Sequence, residues 1–138
     1  MEGIDIIGTI RRIWDRVDTI FDLVRSHPIL KETGGSLTAD GSEQVVVEVA
    51  TPMGVFKPLK VKINTTAMTW GDWITLRWYE VITPAGAYVK KDELTLNGPQ
   101  VSPLINIELE PNRNGVRVTL EQTAGVNRVF PWEYTFED

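Results

Sequence analysis

Hydrophobic residues recur at alternating steps of four and three residues through the first part of the chain. The residues in this series are Ile6, Ile10, Ile13, Val17, Ile20 and Val24. Such spacing places all of them on one face of an α-helix and repeats as a heptad. Because both core positions of the heptad hold β-branched residues, the pattern disfavours a two-stranded coil and favours three or more strands. It predicts an amphipathic oligomerisation helix, a short coiled coil, over residues 1–27.

A second hydrophobic stripe widens the apolar face of this predicted helix. Ile7, Trp14 and Phe21 follow one another at seven-residue intervals, next to the core positions. Trp14 and Phe21 are therefore expected to seal the flank of the oligomerisation surface. A face this wide must be covered, and the sequence leaves two possibilities open. The helix associates with copies of itself, or it packs on the chain's own β-domain.

The rest of the chain has the pattern of β-structure. Residues 28–43 are rich in Gly, Ser, Thr and Asp and are interpreted as a flexible neck. Beyond them, short apolar runs are separated by Gly, Pro and Asn. These runs cover residues 45–49, 55–63, 73–82, 87–96, 104–109, 116–122 and 129–136. The pattern predicts a mainly β fold over residues 44–138, a jelly-roll-like antiparallel β-sandwich of seven or eight strands.

Two prolines fall inside the predicted strands. Pro58 and Pro131 cannot donate a backbone hydrogen bond to a neighbouring strand. We therefore expect their strands to lie at a sheet edge or to contain a β-bulge.

Charge and composition exclude several classes of protein. The 138 residues include 14 Lys and Arg against 19 Asp and Glu, a net charge of −5, which argues against binding nucleic acid through its phosphates. There is no cysteine, so these residues form no disulfide, thiolate metal site or cysteine nucleophile. No uninterrupted apolar run reaches 18 residues, so no membrane span is expected. An interfacial membrane helix is disfavoured because the first segment is slightly acidic.

The sequence offers little catalytic chemistry. His27 is the one histidine and directly precedes Pro28, with no partner suggested by the sequence. Carboxylate pairs such as Glu108 with Glu110 are common on β-surfaces and do not by themselves indicate a glycosidase. No phosphate-binding loop or metal-ligand spacing is present. We predict a protein that is not an enzyme and that has no cofactor or metal.

The aromatic residues of the β-domain suggest an alternative function, carbohydrate binding. Possible ligand-binding aromatics are Trp70, Trp73 and Tyr88. Sugar rings stack on exposed aromatic side chains, so at least two of these would have to be open to solvent. The competing interpretation is that Trp78 and Trp132 belong to the core and that Trp70 fills a loop.

Three blocks of the chain resemble a group of small β-rich structural proteins from the virions of archaeal and thermophile-associated viruses. The blocks are LTADGSEQVVVEV from Leu37, MTWGDWITLRWYE from Met68 and GVRVTLEQTAGVNRVFPWEY from Gly115. Within them, the resemblance lies in the Gly71–Asp72 pair before a strand and in the block Thr119–Gly125. It covers residues 36–136. It implies a jelly-roll-like fold and a role as a capsid, decoration, turret or fibre subunit.

Taken together, these observations predict a non-enzymatic viral structural protein that assembles through its helix and the edges of its β-domain. Its expected partners are copies of itself, with a trimer favoured, and other virion proteins. Its expected location is the virion, assembled in the host cytoplasm. Two alternatives stay open: a carbohydrate-binding module, and an intracellular adaptor whose helix recruits a partner.

Overall fold

The computed structural model describes residues 6–26, 29–50 and 57–137, with only the backbone described at Ile6 and at residues 21–26. Within these residues the chain forms one helix and eight strands. The helix is α1 (Ile6–Ser26). The strands are β1 (Leu30–Thr38), β2 (Glu43–Val49), β3 (Lys57–Asn64), β4 (Trp73–Glu80), β5 (Val89–Asn97), β6 (Leu104–Glu108), β7 (Val116–Ala124) and β8 (Val129–Glu137).

The eight strands form two four-stranded antiparallel sheets that pack as a sandwich. Their orders are β1-β8-β3-β6 in the first sheet and β2-β7-β4-β5 in the second. One long hairpin accounts for four of the strand pairs, β1·β8, β2·β7, β3·β6 and β4·β5. This hairpin is rolled into two layers by the pairing of β8 with β3 and of β7 with β4. This is the arrangement of a jelly roll. It confirms the predicted fold class.

The rolled hairpin gives the sandwich two different ends. The loops 39–42, 65–72, 98–103 and 125–128 meet at one end, which we call the loop end. Backbone hydrogen bonds join them, including Ala39 N to Arg128 O at 2.9 Å and Gly98 N to Asp72 O at 2.8 Å. At the opposite end Leu30 pairs with Glu137, and α1 ends at Ser26, only a few residues before β1. We call this the helix end.

Apolar side chains from both sheets fill the space between the layers. The first sheet contributes Leu37, Val61, Ile63, Ile107, Phe130 and Tyr134. The second contributes Val46, Val47, Ile74, Leu76, Val116, Val118 and Leu120. Several of these side chains, such as Val61, Ile74 and Leu120, are fully buried. The core of the sandwich is therefore complete within one chain.

Strand β1 lies in the stretch that the sequence suggested was a flexible neck. Its only buried residue is Leu37, because β1 is an edge strand of its sheet. The glycine pair interpreted as a breaker is instead part of the pairing with β8. A Cβ at Gly34 would lie 2.8 Å from the Trp132 carbonyl oxygen, and one at Gly35 would lie 3.2 Å from the Trp132 ring. The glycines allow this close approach, and the sandwich begins at Leu30.

The two prolines are accommodated differently. The β3–β8 register shifts between Pro58 and Lys60, which confirms the expected irregularity at Pro58. Pro131, however, lies in β8, an interior strand between β1 and β3. The pairing of β8 with β3 ends at the Ile63–Trp132 pair, so the missing amide at Pro131 removes no hydrogen bond from that pairing.

Candidate functional site

The apolar face of α1 is open to solvent. The exposed fractions are 67% for Ile7, 48% for Ile10, 56% for Ile13, 63% for Trp14 and 59% for Ile20. Val17, on the same face, is half-buried. The structure does not describe the side chains of three further members of the predicted oligomerisation surface, Ile6, Phe21 and Val24. Where its side chains are described, this face is thus not covered by the β-sandwich.

Exposed isoleucines of this kind favour association with another apolar surface. Full burial of one isoleucine side chain stabilises by about 1.5–3 kcal/mol relative to leaving it exposed. A 21-residue helix is roughly 30 Å long, enough for three heptads. The surface of α1 can therefore contribute to an interface that runs along its whole length.

The three candidate ligand-binding aromatics do not lie at one place. Trp70 and Trp73 are at the loop end, where Trp73 pairs with Asn97 and the Trp70 ring lies against the next residue, Gly98. Tyr88 is near the helix end, and the Arg117 guanidinium lies 3.9 Å from its ring centroid. The face of Tyr88 that Arg117 covers is closed to a sugar.

The tryptophans also differ in exposure. Trp78 and Trp132 are half-buried and pack against the core, as the competing interpretation expected. Trp70 does not fill a loop, because 82% of its surface is exposed, and Trp73 is 42% exposed. An exposed pair of tryptophans therefore remains at the loop end.

A buried carboxylate, Asp72, ties the loops of this end together. Its side chain is only 2% exposed. It accepts hydrogen bonds from the Thr69 amide at 2.8 Å, from Arg128 Nε at 2.8 Å and from the Val126 amide at 3.2 Å. Its backbone carbonyl accepts the hydrogen bond from Gly98. One residue thus connects the loops 65–72, 98–103 and 125–128.

Two further residues fix the loop 125–128. The buried Gln122 amide donates to the Val126 carbonyl at 2.7 Å and accepts from the Arg128 amide at 3.0 Å. Gly125 has a φ of +92°, and a Cβ there would lie 2.0 Å from Asp72 Oδ1. Sequence reasoning singled out the Gly71–Asp72 pair but missed Gln122 and Arg128, which are separated from Asp72 by about fifty residues.

The environment of Asp72 also sets its protonation. Burial alone raises the pKa of a carboxyl group, but the hydrogen bonds from the Thr69 amide and Arg128 outweigh it, and the pKa of Asp72 is lowered. The carboxylate is therefore the form that holds the three loops.

We expect Asp72→Asn to destabilise the fold by about 1.5–3 kcal/mol at neutral pH, because Arg128 and the Thr69 amide lose a charged acceptor. The folded-state pKa of Asp72 is below its unfolded value, so this stability is present above about pH 4 and is lost as the pH falls through the folded-state pKa. Urea unfolding of both proteins at pH 7 and in acid measures the difference. Asp40→Asn, at an exposed carboxylate of the same end, is the control. Equal stability of the wild type and Asp72→Asn at pH 7 would contradict this role.

The outer face of the second sheet is occupied by its own ion pairs. Arg77 contacts Glu121 at 2.7 Å, Glu93 at 3.2 Å and Glu43 at 3.6 Å. Glu43 also accepts hydrogen bonds from the Tyr79 hydroxyl and from Thr119. Hydrogen bonding to Glu121 raises the pKa of Arg77. These charges satisfy one another, so this face is a weak candidate for ligand binding.

The remaining surfaces that the structure describes are weaker candidates for a binding site. A shallow groove of about 250 Å³ on the first sheet is lined by Lys62, Asn64, Leu104, Pro131, Trp132 and Glu133. In the described part of the chain, no three acidic or histidine side chains are grouped so that they could hold a metal ion. None of the residues that the structure describes forms a helix long and apolar enough to cross a membrane.

Comparison with known proteins gives matches in structure but not in sequence. No protein-family model matches the chain, and no curated protein matches it in sequence. A structure of the Bacillus endospore appendages, described as disulfide-linked pili, superposes with a TM-score of 0.54 and 12% identity, over 80% of this chain and 86% of that one. This similarity shows a shared fold.

Two further structures are similar at lower scores. PirA aligns with a TM-score of 0.48 and 14% identity, over 80% of this chain and 97% of PirA. The VP2 subviral particle of infectious bursal disease virus aligns with a TM-score of 0.47 and 9% identity, over 81% of this chain. The chain spans 32% of the length of that VP2 chain.

Proposed function

We propose that this chain is a non-enzymatic structural subunit of a virion that assembles through α1, with three α1 helices forming a parallel coiled coil. The observation that carries the proposal is the open apolar face of α1, where Ile7, Ile13, Trp14 and Ile20 are each more than half exposed. Large apolar surfaces left uncovered in a single chain are typical of protein interfaces.

The exposed face argues for a partner outside the chain's own β-domain. The sandwich core already holds fully buried side chains such as Val61, Ile63 and Leu76, and none of the α1 side chains that the structure describes belongs to it. Another copy of α1 is the partner that the heptad fits, since an identical stripe with the same spacing offers matching core positions along the whole helix.

The number and direction of the helices follow from the side chains. The heptad favours a coiled coil of more than two helices, because both core positions hold β-branched residues: Ile10 and Val17 at one, Ile13 and Ile20 at the other. Trp14, beside the core, widens the face that each helix must bury. In a parallel trimer the three sandwiches leave the coiled coil at the same end, so identical surfaces of the three chains meet around one axis.

The virion assignment rests on the resemblance of residues 36–136 to small virion structural proteins.

The edges of the sandwich supply further contacts in this proposal. Strand β5 exposes Lys90, Lys91, Asp92 and Glu93, a charged edge that discourages indiscriminate strand pairing. The long edge β1 lacks such a run of charges and is the better candidate for contact with other subunits. Because the sequence holds no cysteine, disulfides such as those of the endospore pili cannot link its copies.

The absence of cysteine also provides the experiment. In Ile20→Cys, the introduced thiol is the only one in these 138 residues and lies in the core of the proposed parallel coil, facing the same residue of its neighbours. We expect mild oxidation to give covalent dimers at high yield. Thr19→Cys, the matched control, places the thiol on the outer side of the same turn. If Ile20→Cys stays uncrosslinked, or Thr19→Cys crosslinks as efficiently, the parallel coil is contradicted.

A further inference from the structure

The loop end of the sandwich presents three exposed apolar residues, one from each of three loops. Trp70 is 82% exposed, Val126 is 65% exposed and Val101 is fully exposed. The only charged residues in the loops 65–72, 98–103 and 125–128 are Asp72 and Arg128, and these two form an ion pair. The surface is therefore apolar at its tips and carries no unpaired charge in these three loops, whereas the fourth loop, 39–42, carries the exposed carboxylate of Asp40, which accepts hydrogen bonds from Ser42.

This surface is held rigidly. Asp72 joins the three loops that carry the exposed residues. Its carboxylate accepts hydrogen bonds from Thr69, Val126 and Arg128, and its backbone carbonyl accepts one from Gly98. A binding site that is fixed before the ligand arrives loses less conformational entropy on binding. The network thus fixes the backbone of the loop that carries Trp70 relative to the two neighbouring loops.

The setting of Trp70 suits it for stacking. The six-membered part of its ring lies against Gly98, where a Cβ would be 3.0 Å from Trp70 Cε3. Gly98 has a φ of +63°, so glycine is favoured there by the backbone as well as by the ring. The ring is supported on the Gly98 side and otherwise open to solvent, and an aromatic face of this kind can stack on the C–H face of a sugar.

Neutral polar side chains lie in and next to the three loops of this surface. Gln100 donates to the carbonyls of Asn97 and Gly98, at 3.0 and 3.1 Å, and its own carbonyl oxygen remains an acceptor. Asn97 and Asn127 are exposed and carry further amide donors and acceptors. Amide groups exchange hydrogen bonds with hydroxyl groups without introducing charge.

We infer that the loop end binds a neutral oligosaccharide, with one sugar ring stacked on Trp70 and its hydroxyls hydrogen-bonded by neighbouring amides. The indole is exposed and supported on one side, and amide side chains flank it. Because the three loops carry no unpaired charge, the surface favours an uncharged sugar over an acidic one. Trp73 lies beside the site, whereas Tyr88 is at the far end of the sandwich and takes no part. The inference concerns the single sandwich and does not depend on how the chain assembles.

The test is binding of the full chain to an array of immobilised neutral and sialylated oligosaccharides, followed by titration of the best neutral ligand. We expect a neutral ligand to bind and Trp70→Ala to weaken that binding at least tenfold, with Trp70→Phe losing less because it keeps an aromatic ring. Because Trp70 is 82% exposed, we expect both variants to stay folded, which circular dichroism checks. Ile82→Ala, an exposed apolar change near the helix end, is the matched control and should bind like the wild type.

Three results would overturn the inference: no neutral oligosaccharide is bound, Trp70→Ala binds as tightly as the wild type, or acidic glycans are preferred. Vesicles of phosphatidylcholine are the comparison probe. If the protein binds these vesicles but no glycan, and the binding requires Trp70, the loop end is a membrane contact and not a sugar site. Light scattering of each variant shows whether assembly is unchanged, so loss of glycan binding is distinguished from loss of the proposed trimer.

Discussion

Replacing Ile13 by Asp should convert the assembled protein to monomers while the β-sandwich stays folded. Ile13 occupies a core position of the α1 heptad and is 56% exposed in the single chain, so the substitution costs the monomer little. In the trimer it would place three carboxylates together in an apolar interface. Removing each from water carries a penalty of several kcal/mol, which the short coiled coil cannot offset. Sedimentation velocity measures the assembly, and circular dichroism checks the fold.

Thr19→Asp is the matched control for this variant. It introduces the same carboxylate into the same helix, but on the side away from the apolar face, where the threonine is already exposed. We expect it to remain assembled. An Ile13→Asp protein that sediments like the wild type would show that α1 does not hold the subunits together.

The largest loss of stability is expected from Phe130→Ala. Phe130 is 1% exposed and lies in β8, an interior strand between β1 and β3, with its side chain in the core between the two sheets. Removing a buried phenylalanine side chain leaves a cavity and destabilises by about 3–5 kcal/mol. Urea denaturation measures this loss, at a fixed protein concentration because assembly itself adds to stability.

The neighbouring residue supplies the control for that experiment. Val129 precedes Phe130 in β8, is 47% exposed and points away from the core. Val129→Ala should change the free energy of unfolding by about 0.5 kcal/mol or less. A loss below about 1 kcal/mol for Phe130→Ala would show that Phe130 is not part of the core.

Much of the fold follows from hydrophobic patterning. The seven apolar runs of the sequence correspond to β2 through β8. Six of these strands have buried side chains, whereas β5 contributes only the partly buried Leu96 to the core. Strand β1 escaped prediction for a physical reason. As an edge strand with one buried residue, Leu37, it has almost no hydrophobic signal, and its glycines are required by Trp132, about a hundred residues away in the chain.

The candidate surfaces differ in how far they could be predicted. The apolar face of α1 is a local pattern, so the sequence alone identifies it. The loop end depends on contacts between distant segments, such as Asp72 with Arg128, and no periodicity marks such pairs. The exposure of Trp70 was equally hidden, since a tryptophan between threonine and glycine fits a buried loop as well as an open one. Only the folded chain distinguishes the two.

If α1 holds three copies of this chain together, the unmodified full chain is a trimer in solution. Light scattering should be recorded over a wide range of protein concentrations. We expect a species of three times the 15.6 kDa chain mass that dissociates only on strong dilution. A mass of 15.6 kDa at every concentration would contradict assembly through α1.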